Sequence, residues 1–519
     1  MENTKILEGG KRGIFQVIFG RTMIIVVLLL AQFFVLFEWM FRLASYAPYL
    51  SGGVTAITGV MMLWILNTGD NPMIKLTWCI VIAMLPIFGA LLYLFVRFDI
   101  GHRLEQRVIQ AAIDESRVHL PDQQERLEQI RQEDKDLYNL ATYLRRYSGS
   151  SLWSNTRVKY FPIGEAKWEA MLEELEQAKD FIFLEYFIVG QGRMWNSVLE
   201  ILVRKAREGV DVRLMYDGTC AVTLLPYDYP KQMEKLGIKC KMFSPIRPLV
   251  STYYNNRDHR KILVIDGHTA FTGGVNLADE YINVKKLYGH WKDTAIMLKG
   301  EAVRDFTMMF LQMWNAGDRV HDYTPYWLNE ASHDTEASGY VIPYGDSPLD
   351  HENVGEMVYM SILNQAKDYV YIMTPYLILD HEMSQALQFA AKRGVDVRLI
   401  LPHIPDKKYA FVLAKSHYKE LLEAGVHIFE YIPGFVHAKV VVSDAVKAVV
   451  GTINLDYRSL YLHFECAAFL YKVPAISDIL EDFRDTFERC QEITMDMVKK
   501  EKKLTVLMGK LLKLAAPLM

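Results

Sequence analysis

A strong charge of either sign is missing from this sequence. Its 519 residues carry 58 lysines and arginines against 62 aspartates and glutamates, a formal net charge of −4. No global basic field therefore advertises nucleic-acid binding, and no nucleic-acid partner is expected. Cysteine is scarce as well. Cys79, Cys220, Cys240, Cys466 and Cys490 are odd in number and show neither C-x-x-C nor zinc spacing, which argues against a disulfide framework and against a structural metal. What the chain does have is a slight apolar surplus, 51% of residues, and that surplus is concentrated at the N-terminus.

Residues 1–100 read as a membrane anchor. Leu76–Val96 has 21 residues and no charge, enough to cross a hydrocarbon core of roughly 30 Å. Thr22–Phe41 is a second candidate span, interrupted by Gln32 and Glu38. The intervening stretch at about 47–66 is glycine-bearing and reads as a third span or a re-entrant piece. A multi-pass protein of the cell membrane is the expectation. Lys5, Lys11, Arg12 and Arg21 precede the first span and Arg97, Arg103 and Arg107 follow the last. Basic flanks at both ends favour the cytoplasm for both and for the body, which requires an even number of spans; a crossing by the middle segment would put the body on the other side. Residues 101–150 turn polar and charged, as surface helices linking anchor to body would. At 491–519, "VKKEKKLTVLMGKLLKLAAPLM" mixes lysines with leucines. It reads either as an amphipathic interfacial helix or as a core helix with a solvated basic edge.

The body is a repeat. "AKDFIFLEYFI", "REGVDVRLMYDG" and "HRKILVIDGHTAFTGGVNL" are followed, in the same order, by "AKDYVYIMTPYLI", "KRGVDVRLILPH" and "HAKVVVSDAVKAVVGTINL". Each half alternates buried strands with helices that stop at a glycine. The pattern predicts an α/β fold: two α/β/α sandwich lobes, at 151–335 and 336–490, related by a pseudo-twofold axis.

Polar residues recur within that repeat. His259, Lys261 and Asp266 form H-x-K-x4-D, followed by Gly273, Gly274 and Asn276; His437, Lys439 and Asp444 repeat it, followed by Gly451, Thr452 and Asn454. On an extended chain the histidine and lysine of each copy share a face. An imidazole beside an ammonium in a buried strand calls for an anion between them.

The doubled motif resembles that of the phospholipase D superfamily and, more narrowly, bacterial cardiolipin synthases. "NPMIKLTWCIVIAMLPIFGALLYLFV" and "GTINLDYRSLYLHFE" extend the resemblance along most of the chain. It implies a phosphatidyltransferase that works without a cofactor or a metal. One histidine attacks phosphorus and the other serves as general acid and then general base. Pattern symmetry does not say which; the resemblance implies His259 as nucleophile and His437 as acid/base. Lys261, Lys439, Asn276, Asn454 and Thr452 are expected at the phosphate. Gly274, where many members have serine, leaves one hydroxyl out. An acid further along orients each histidine: Asp293 after His259, Glu465 after His437. Asp266 and Asp444 are expected to hold turns. The implied substrate is phosphatidylglycerol, met at the bilayer.

Overall fold

The computed structural model describes residues 51–97, 100–245, 256–318, 323–327, 337–350 and 352–518, with isolated positions between 34 and 42. The chain forms two compact units. One comprises residues 1–106, 245–255 and 511–519; the other comprises 107–244 and 256–510.

In the first unit the 76–96 run is not one helix. After α1 (Ser51–Leu66), two helices cover it instead: α2 (Pro72–Met84) and α3 (Pro86–Arg97). Asn71 caps α2, its side chain accepting from the Met73 N–H at 2.9 Å. Pro86 supplies no N–H and forces its predecessor out of the helical region, so α2 ends at Leu85 with φ −136° and ψ 75°. The two halves then fold together. A side chain at Gly89 would lie 2.7 Å from the Ile82 Cα, so only glycine allows that approach. Trp78, Ile82, Ala90 and Tyr93 bury against Met61 and Ile65 of α1. Among the described residues no helix is long and apolar enough to cross a membrane, so the single span expected at 76–96 is replaced by a proline-broken pair of 13 and 12 residues. The span expected at 22–41 lies outside the described residues but for a few positions, as do residues 47–50 of the third candidate.

The second unit holds the repeat. In the first lobe the strands are β1 (Thr156–Phe161), β2 (Phe181–Tyr186), β3 (Asp211–Asp217), β4 (Lys239–Phe243), β5 (Arg257–Asp258), β6 (Lys261–Ile265), β7 (Thr269–Gly273), β8 (His290–Lys292) and β9 (Ala295–Gly300). The second contributes β10 (Tyr340–Asp346), β11 (Tyr369–Met373), β12 (Asp396–Pro402), β13 (His427–Tyr431), β14 (Gly434–Val436), β15 (Val440–Ser443), β16 (Lys447–Gly451), β17 (His463–Tyr471) and β18 (Cys490–Glu492). The sheets have matching orders, β1-β9-β7-β6-β2-β3-β4 and β10-β17-β16-β15-β11-β12-β13-β18, with β18 as an added edge. In each, a parallel pair (β2–β3, β11–β12) adjoins the antiparallel strand (β6, β15) that starts at or directly after the motif lysine. Phe183, Ile262 and Val264 of one lobe and Val440, Val442 and Ala468 of the other belong to one shared core, with the helices Val303–Asn315 and Ala475–Phe487.

Two short strands cross between lobes. β8 pairs in parallel with β14, and β5 pairs in parallel with β17. These exchanges fix the site. The expected surface linker also differs from the structure. Helix Lys135–Tyr147 spaces Leu137, Leu140, Ala141 and Leu144 on one stripe and buries it in the core of the second lobe, as a three-and-four repeat of apolar residues within a charged segment dictates.

Candidate active site

Each motif histidine sits where a crossing strand ends. His259 follows β5, and its N–H donates to the Phe464 carbonyl of β17 at 2.9 Å. His437 follows β14, and its N–H donates to the Lys292 carbonyl of β8 at 2.7 Å. The next residue of each partner strand's path carries an acid. His259 Nδ1 therefore meets Glu465 at 2.8 Å (Oε1) and 3.0 Å (Oε2), and His437 Nδ1 meets Asp293 Oδ2 at 2.7 Å. The sequence reading placed each acid with the histidine of its own half. The structure crosses them, because it is the inter-lobe strand pairs that run side by side. Both carboxylates are fully buried, and each fixes the tautomer that leaves Nε2 of its imidazole free.

The lysines stand on the same side as their histidines. Lys261 Nζ donates to the His259 carbonyl at 2.5 Å; Lys439 Nζ lies 2.9 Å from His437 Nδ1 and also donates to the His437 carbonyl. All four side chains are buried. Burial first, then the neighbouring lysines, pushes His437 down to about 4 and His259 well below the ordinary histidine range, so both imidazoles are neutral. Burial likewise lowers Lys439 to about 7 and Lys261 to about 8 and raises Glu465 to about 8. The charge of Lys439 bears on His259, and that of Lys261 on His437. The two motifs thus occupy one site.

Other expected phosphate contacts are committed elsewhere. Thr452 donates its hydroxyl to Glu465 and accepts from the Cys466 N–H at 3.0 Å, so it braces the acid from behind and does not face a substrate. Asn276 accepts from the Ile188 N–H at 3.0 Å and donates to the Tyr281 hydroxyl at 2.8 Å. Asn454 differs from it, because its Oδ1 is buried without a hydrogen-bond partner. Gly274 has a steric reason: a Cβ there would lie 2.0 Å from Asp293 Oδ1. Asp266 and Asp444 sit away from the cleft at positive φ. Asp266 accepts from the backbone N–H groups of Lys179, Asp180 and Phe181 at 2.8 Å, and Asp444 from those of Lys367, Asp368 and Tyr369 at 2.9 Å.

Sequence reasoning missed the residues two positions before each acid. His463 lies on the face of β17 that carries Glu465, its ring centroid 5.5 Å from that of His259, and Trp291 stands 5.3 Å from His437. The period of two along a strand was the available signal. The walls are otherwise unlike. Around His437 they are aromatic, Tyr281 and Phe435 joining Trp291. Around His259 they are Phe187 and His463, whose Nε2 accepts from Arg458 Nε at 3.2 Å. Donor atoms of His259, His463 and Glu465 lie within 4.8 Å of one another, a spacing a metal could bridge. Lys261 and Arg458 bear directly on these donors, and that positive surround suits an anion, not a cation.

Two repeated lobes, each giving a histidine and a lysine to one cleft, define the phospholipase D class. The family described as cardiolipin synthase, PLD-like domain, matches residues 171–314 and 359–490, and a phospholipase D-nuclease N-terminal family matches 56–97. A cardiolipin synthase 2 of Bacillus anthracis is 34% identical over 83% of this chain and 84% of its own length. An uncharacterized protein of Streptococcus mutans is 53% identical over 88% of this chain and 99% of its own. Among solved structures, a phosphatidylserine synthase of Haemophilus influenzae shares the fold with a TM-score of 0.54 at 14% identity, covering 74% of this chain and 98% of that one. The chain belongs to the cardiolipin synthase family of phospholipase D-like proteins.

Proposed function

We propose that this protein makes cardiolipin by transferring a phosphatidyl group between two molecules of phosphatidylglycerol. The crossed pair of buried histidine–carboxylate dyads around one lysine-flanked cleft carries the reading. A neutral imidazole whose Nδ1 proton is held by an acid presents Nε2 as a nucleophile. His259, with His463 and Arg458 behind it, stands in the more electropositive half of the cleft, where a phosphate anion would rest. Its Nε2 attacks phosphorus and the P–O bond to the glycerol headgroup breaks. His437, which takes a proton onto Nε2 once the phosphate anion is bound beside it, gives that proton to the departing oxygen. The hydroxyl of a second phosphatidylglycerol then loses its proton to His437 and attacks the same phosphorus. The P–N bond breaks, His259 is regenerated, and cardiolipin leaves. One phosphodiester replaces another, so no nucleotide is consumed. Lys261 and Lys439 offset the charge that builds on the non-bridging oxygens. Asp266 and Asp444 act at a distance, holding the turns that follow the lysine strands.

The apolar helices of the N-terminal unit, with Ile57, Val60, Leu63 and Leu76 exposed, suit contact with lipid and would keep the enzyme at the membrane where its substrate resides. Purified full-length protein incubated with phosphatidylglycerol should yield cardiolipin and glycerol. Phosphatidic acid and glycerol as the products would instead make it a hydrolase.

A further inference from the structure

We propose that two lysine-bearing loops, one from each lobe, form the surface by which the catalytic unit seats on an anionic phospholipid bilayer. The inference rests on the reading that the substrate is a membrane lipid. The first loop precedes β8 and runs Val284-Lys285-Lys286-Leu287; both apolar residues are about half exposed, 49% and 47%. The second follows β12 and opens the helix Lys408–Glu423. It carries Ile404 and Tyr409 on either side of Lys407 and Lys408, and again the apolar residues are exposed. Lysine pairs flanked by bare apolar side chains, in two unrelated segments, are unexpected for a surface that faces only water.

The loops are one patch. Ile404 Cδ1 lies 3.3 Å from where a side chain at Gly289 would stand. The His290 N–H donates to the Pro433 carbonyl at 2.9 Å, and the Ile404 N–H to the Gly434 carbonyl at 3.3 Å. That brings in exposed Ile432, which precedes them. The patch also adjoins the cleft. Trp291, at the end of the first loop, packs on His437, and the charge of Lys407 reaches His463. Asp406 accepts from the Tyr376 hydroxyl at 2.6 Å and pairs with Lys407 at 3.7 Å. Lys285, Lys286 and Lys408 supply the remaining positive charge of the patch, on a chain whose net charge is −4.

Lysine heads above apolar side chains match the layering of a leaflet, phosphates outside and hydrocarbon beneath. Negative lipid is specified by the lysines, and shallow insertion by Val284, Leu287, Ile404 and Tyr409. Seated so, the mouth of the cleft would open onto the headgroup layer, and an acceptor lipid would reach His437 without leaving the bilayer.

The test uses full-length protein reconstituted with vesicles that carry a photoactivatable phospholipid, the adducts being located by peptide mass spectrometry. With phosphatidylglycerol vesicles, label should appear on both loops. The double variant K285E/K286E should reduce it there by about tenfold or more, because each lysine near an anionic surface contributes roughly fivefold in affinity. Phosphatidylcholine vesicles should give similarly weak labelling, while label on the N-terminal unit persists in every case. Both loops unlabelled in phosphatidylglycerol, or labelled equally in phosphatidylcholine, would overturn the proposal. Labelling does not depend on turnover, so a protein that docks through these loops yet forms no cardiolipin would refute the functional reading and leave this one standing.

Discussion

At the scale of single residues, the site depends on small groups that never touch substrate. Gly274 is the clearest. Its missing side chain is the space that Asp293 Oδ1 occupies, so Gly274→Ser should push that carboxylate off His437 and lower kcat by about tenfold or more, as loss of an orienting partner does. Thr452 holds the other acid by a hydrogen bond. Thr452→Ser should keep activity and Thr452→Val should lose it, with the fold intact by circular dichroism. Titration gives a second expectation. In the free enzyme burial brings Lys439 to about 7 and Lys261 to about 8, and the ammonium forms are the ones that hold a phosphate. Raising the pH through that window removes positive charge from the free enzyme, so kcat/KM should fall on the alkaline side. Its acid limb should lie well below the usual histidine range, where His259, held down by burial and by Lys261, gains a proton and ceases to be a nucleophile. The motif residues themselves were legible in the sequence, since a doubled H-x-K-x4-D states its residue types outright. The duty of Thr452 was not: a hydroxyl next to a glycine turn looks the same whether it faces a phosphate or a buried carboxylate.

At the scale of elements, the decisive features are the shortest ones. β5 has two residues, β8 and β14 three each, yet their pairings carry each histidine to the acid of the other lobe. Alternation of strands and helices announced both sheets, because strands such as "VDVRLMYD" and "VDVRLILP" bear the period and the β-branched content of buried strands. Pairings of two and three residues leave no such imprint, and so the sequence suggested acids acting within their own halves. Pro86 was visible in "AMLPIFG", but an uncharged run of that length outweighed it; the structure gives the proline its usual effect and turns the run back on itself. One substitution tests the crossing strands. A side chain at Gly434 would meet the backbone N and O of His290 at 2.4 Å, which cannot give way as a flexible side chain would. Gly434→Val should cost about 1–3 kcal/mol of stability, read as a lowered Tm. It should cost activity even well below that Tm, because His437 loses its register on Lys292.

At the scale of the whole molecule, the repeat is what makes one site from two distant motifs. A core shared by residues of both lobes and two strand exchanges bind the halves tightly enough that the dyads share a single field of charge. It follows that neither lobe holds a complete catalyst, and that Glu465→Gln in the second lobe should slow formation of an adduct on His259 in the first. The most direct test of that claim is to mix the full-length enzyme with phosphatidylglycerol labelled at phosphorus, quench it during turnover, and map the label. The label should lie on His259 in the wild type and should be absent from His259→Ala, and cardiolipin should form in neither His259→Ala nor His437→Ala. Undiminished cardiolipin synthesis by either variant would contradict the account.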